Sequence, residues 1–60
     1  MDSEKVSRFI KELRKKEGLT QKDLASKYNV TYQAVSKWET SKNIPDIAIL
    51  KQMCEDYNLN

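Results

Sequence analysis

The stretch TYQAVSKWE, residues 31–39, holds four side chains able to do chemistry at a surface. They are a phenol at Tyr32, an amide at Gln33, a hydroxyl at Ser36 and an ammonium at Lys37. A helix turns about 100° per residue, so positions i, i+1, i+4 and i+5 share a face. The four take those positions. Ala34, Val35 and Trp38 fall on the other side, and Trp38 is the chain's only tryptophan. The polar face carries no acid. An apolar back holding up such a front is arranged to be read from outside the protein.

Other chemistries find little support. The chain has no histidine and one cysteine, which leaves out zinc fingers, Cys–His or Ser–His catalysis and disulfide frameworks. Glu12, Glu17, Glu39, Glu55 and the aspartates show no pairing suited to acid–base work. No enzyme activity, cofactor or metal is expected. Cys54 follows Leu50 by four residues on an apolar stripe and reads as a small packed hydrophobe. A free thiol fits a reducing cytoplasm, and a cytoplasmic location is the expectation. The opening MDSEKVSRF has no apolar run of the signal-peptide kind. No stretch is long enough to cross a membrane, so no membrane contact is expected of this segment.

Sixty residues make one domain, near the lower limit for independent folding. The net charge is only +2, but it is unevenly placed. Residues 5–16 hold Lys5, Arg8, Lys11, Arg14, Lys15 and Lys16 against Glu12. Residues 46–60 hold Asp46, Glu55 and Asp56 against Lys51. Lys5 and Lys11 read as a solvated helix face.

The elements that must position the polar face are helices. Val6, Phe9, Ile10 and Leu13 form one apolar stripe over roughly residues 3–16. Gly18, the only glycine, suits a left-handed C-terminal cap with Leu19 packing behind it. Thr20 caps a second helix over roughly 21–28, with Asp23 completing a short capping box; Leu24, Ala25 and Tyr28 face inward. Asn29 tolerates positive φ and predicts a sharp turn. Val30 fills the corner and Thr31 caps the third helix. After the loop TSKNIP, Pro45 and Asp46 open a fourth helix, with proline in its first turn and an acid near the positive end of its dipole. Ile47, Leu50, Met53, Cys54 and Tyr57 are expected to face inward, Ile49 to lie off that stripe, and Leu59 to close the chain. The fold class is all-α, a compact bundle of four short helices.

The two helices on either side of Asn29 lie in the segment QKDLASKYNVTYQAVSKWET, residues 21–40. Small Ala25, the turn at Asn29, and the apolar pins Leu24, Tyr28, Val30, Val35 and Trp38 together resemble the helix-turn-helix of the phage repressor and Cro family, the XRE-like or lambda-repressor-like DNA-binding domains. The likeness extends to R-K-K-E-G-L-T-Q at the end of the first helix, to S-K-W-E, and to P-D-I-x-x-L at the start of the fourth. This chain departs at Asn29, where the family usually has glycine, and at Glu39, Thr40 and Ser41, where it commonly has E-N-G. The family usually has five helices, the fifth following N-L-N and often helping to build a dimer. The resemblance therefore implies that residues 1–60 are the N-terminal part of a longer protein, with a possible homodimer formed through residues beyond Asn60.

The resemblance also implies roles. The third helix would lie in the major groove of a double-stranded DNA operator, with the second spanning the backbone. Gln33 can bond bidentately to adenine, and Lys37 can reach guanine O6 and N7. Tyr32 can meet a thymine methyl or a phosphate, and Ser36 either kind of partner. Gln21 matches a phosphate-holding position, and a helix N-terminus suits that role. Thr31, Lys42 and Asn43 are further backbone contacts, which set register without reading sequence. Arg14 and Glu39 occupy the positions of a family ion pair. The function implied is a sequence-specific transcriptional regulator, a repressor. Two other readings stay open: a protein-interaction module of a membrane-anchored or regulatory protein, and a DNA-binding antitoxin. The acid-free face favours DNA.

Overall fold

A computed structural model describes residues 2–57 of the chain. Four helices follow one another: α1 (Ser3–Lys16), α2 (Gln21–Lys27), α3 (Tyr32–Glu39) and α4 (Ile47–Asp56). Among the described residues there is no strand.

Each helix starts on a side-chain cap. The carboxylate of Asp2 accepts from the N–H groups of Glu4 and Lys5. Thr20 and Asp23 form a reciprocal capping box at the start of α2, which satisfies two backbone donors the helix itself cannot. Thr31 accepts from Ala34 N–H, and Asp46 from Ile49 N–H.

The first three helices end alike. Gly18, Asn29 and Ser41 all have positive φ, at 69°, 55° and 62°. At each, the next residue bonds back across six residues: Leu19 to Arg14 at 2.9 Å, Val30 to Ala25 at 3.0 Å, and Lys42 to Lys37 at 2.9 Å. One left-handed residue thus reverses the chain and caps the helix in a Schellman motif. Gly18 and Asn29 behave as their types predict. Ser41 was not expected to do so.

At seven and eight residues, α2 and α3 are too short to persist alone in water. Burial holds them. The core is Val6, Ile10 and Leu13 from α1, Leu24 and Ala25 from α2, Val35 and Trp38 from α3, and Met53 from α4. Trp38 is a core residue, as its phase opposite Gln33 requires. Both α1 and α2 pack against α3, so the helix with the polar face is supported on two sides.

The expectations for the fourth helix need correcting. Pro45 is buried but precedes the helix, and Asp46 is the capping residue, so proline is not in the first turn. Ile47 does not face inward and is 73% exposed. Ile49, expected off the stripe, packs against the core. Met53 sets the inward direction. Ile47 precedes it by six residues and lies about 120° away around the helix, whereas Ile49 precedes it by four and lies within about 40°. The second helix ends one residue earlier than expected, with half-buried Tyr28 as its C-cap. Leu59 lies outside the described residues.

Candidate nucleic-acid interface

The geometry of α3 follows from which side is buried. Val35, Trp38 and Glu39 are buried. Tyr32, Gln33 and Lys37 are exposed, and Ser36 is half-buried at the edge of the same face. The four candidate base-contact residues therefore share the open side of the helix.

Glu39 is the only acid on α3, and its side chain is turned away from that side. The carboxylate is 4% exposed and sits in a fork of Arg14. Arg14 Nε donates to Oε2 at 2.6 Å and Nη2 to Oε1 at 3.0 Å. This bidentate, charge-assisted geometry is among the strong forms of ion pair in proteins. The remaining guanidinium nitrogen donates to the carbonyl of Leu19 at 3.0 Å, inside the turn that ends α1. Burial pushes the Glu39 carboxyl up. Hydrogen bonds from Arg14 and Gln21, with the charges of Arg14 and Lys11, outweigh it and hold the group below its ordinary value. The partner carboxylate in turn raises the Arg14 guanidinium.

Two contacts here were not foreseen. Ser7 is buried, and its hydroxyl donates to the Glu39 carbonyl at 2.6 Å. Gln21, expected to hold a phosphate, donates its Nε2 to Glu39 Oε1 at 3.2 Å. A carboxylate only accepts, so the amide nitrogen must face it, and one amide hydrogen remains. Both contacts join residues far apart in sequence, where local patterns carry no signal. Ser7 could have been suspected from its place one residue after Val6 and three before Ile10.

The remaining candidates ring α3. Thr31 is exposed and its oxygen accepts from Ala34 N–H at 3.2 Å. Its O–H proton is not used in that bond. Lys42 and Asn43 are exposed in the loop after α3, and their N–H groups both bond to the Lys37 carbonyl. The Asn43 oxygen accepts from Ile44 N–H at 2.9 Å, leaving its amide donors outward. Lys22 Nζ stands 5.5 Å from the centre of the Tyr32 ring.

A family model described as helix-turn-helix matches residues 10–60. The chain belongs to that family, the XRE-type, lambda repressor-like proteins. This helix-turn-helix domain is accordingly a DNA-binding domain of the transcription-regulator class, and the family is regulatory rather than enzymatic. No curated protein and no solved structure matches the chain. Among the described residues, no group of acidic or thiol side chains is placed to hold a metal ion, and no helix is long and apolar enough to cross a membrane.

Proposed function

We propose that this domain reads a preferred duplex sequence with α3 in the major groove and represses the promoter it occupies. In this reading Gln33 and Lys37 contact base edges, with Tyr32 and Ser36 beside them. Gln21, Thr31, Lys42 and Asn43 hold the phosphate backbone on either side. One observation carries the reading: the only carboxylate of α3 is buried on Arg14, so the outward face offers amide, hydroxyl, phenol and ammonium with no negative charge. Such a face matches the acceptors at guanine and the paired donor and acceptor at adenine. Repression is the sign we assign on the likeness to the phage repressor and Cro family.

Selection from a random duplex library, followed by binding measurements on the selected site and its single-base variants, tests this. Gln33→Ala and Lys37→Ala should each cost about 1–3 kcal/mol on the preferred site and relax discrimination at one base pair. Equal losses on every duplex would make them phosphate contacts instead. No binding at low salt by a chain folded by circular dichroism would favour a protein-interaction module.

A further inference from the structure

We propose that Lys22 is a positioning residue for Tyr32, fixing the first side chain of α3 for base recognition; this rests on the recognition reading above. Lys22 lies in the first turn of α2, directly after Gln21. That place is mildly unfavourable for a cation, because the N-terminal end of a helix carries the positive end of its dipole. The usual remedy, a carboxylate partner, is missing: the ion pair found among the described residues joins Arg14 to Glu39. The neighbouring Asp23 is occupied by the capping box with Thr20. The ammonium instead stands over the Tyr32 ring, 5.5 Å from its centre, within the range where a cation is attracted to a ring face. Tyr32 is 45% exposed, so core packing alone does not fix its ring.

The consequence concerns specificity more than affinity. A free tyrosine at the start of a recognition helix samples several rotamers. A ring clamped by Lys22 against α2 offers its edge and hydroxyl from one place. Lys22 would then affect the choice among duplexes through Tyr32, without touching a base. Arginine can replace it, since a guanidinium also stacks on an aromatic face. Glutamine cannot.

The test has two arms on the whole sixty-residue chain. In the first, carbon–proton NMR of the free protein should show the Lys22 ε-protons shifted upfield by the ring, and Tyr32→Leu should abolish the shift. An unshifted Lys22 overturns the proposal without any DNA. In the second, Lys22→Gln should reduce discrimination between the selected duplex and its one-base variants by roughly two- to fivefold, as expected of an exposed cation–ring contact. Lys22→Arg should retain it, and Lys22→Gln should add nothing in a Tyr32→Leu background. A uniform loss on all duplexes, with the salt dependence reduced by about one phosphate contact, would make Lys22 a backbone contact and reject positioning. A parent chain that binds all duplexes alike, its ring shift intact, would instead reject the recognition reading and the positioning role with it.

Discussion

At the scale of single residues, Glu39 organises the domain. Its carboxylate accepts from Arg14 and Gln21, and its carbonyl accepts from Ser7. Removing one partner of a buried pair strands the other, which costs roughly 3–5 kcal/mol. A domain of this size has only about 3–9 kcal/mol in total. Glu39→Ala is therefore expected to lose at least about a third of the domain's stability. Denaturant melts of Arg14→Ala, Glu39→Gln and the double variant should give strongly non-additive losses, and additive losses would reject direct coupling. The pH dependence has a definite sign. The Glu39 carboxyl is held below its ordinary value in the folded chain. Its contribution is complete above the unfolded value and is lost as the pH falls through the folded one. The parent should lose more stability on acidification than Glu39→Gln, and equal losses would mean that Glu39 is not linked to folding. The pair itself could be anticipated only through family resemblance. Nothing local in the sequence brings residues 14 and 39 together or adds Gln21 to them.

At the scale of elements, the decisive features are three left-handed residues closing three helices. Glycine at position 18 adopts this backbone without penalty and asparagine at 29 with little. Serine at 41 has no such tolerance, and its hydroxyl makes only a 3.4 Å contact with the Ser3 carbonyl. Ser41→Gly should raise stability by about 0.5–1 kcal/mol. Asn29→Gly should be neutral or mildly stabilising, whereas Asn29→Val should cost more than about 1 kcal/mol. Thermal melts check all three, and a valine variant as stable as the parent would contradict the turn geometry. The helices themselves were legible because caps and stripes are local: Thr20 with Asp23, Thr31, and the run Val6, Ile10, Leu13. The phase of α4 was not. Its first turns are apolar at 47, 48, 49 and 50, so spacing admits more than one inward stripe, and packing of Met53 against the other helices chooses. Ser41 was missed because serine carries no marker for a left-handed backbone. The outward set on α3 was legible from phase alone, although the base each would touch belongs to a complex and not to a free chain.

At the scale of the whole molecule, the large apolar side chains most exposed among the described residues are Tyr32 and Ile47. Two exposed side chains fall well short of the apolar area that a stable dimer buries. The sixty-residue chain is expected to be monomeric by sedimentation and to grip one half-site. Of the proposed backbone contacts, Gln21, Thr31 and Asn43 are neutral, and Arg14 is engaged by Glu39. Lys42 is the one cation among those contacts, so one copy neutralises about one phosphate. A log–log plot of affinity against salt should then have a slope of about −0.9, and about twice that for a pair on a palindrome with recognition helices about 34 Å apart. Fluorescence anisotropy across a salt series separates the two. The steeper slope would show that two copies bind together.

The Glu39 junction also sets how the domain opens. Bonds from Ser7 and Arg14 on α1 and from Gln21 on α2 meet at the last residue of α3. An eight-residue helix fastened in this way has no separate melting event, because loosening it breaks contacts with both neighbours at once. Its amides from Val35 onward, which bond within the helix, should exchange with solvent only when the whole domain unfolds, and those of Val35 and Trp38 should be as protected as any in α1. The reading helix would then meet DNA already ordered, and association would carry no folding entropy of its own.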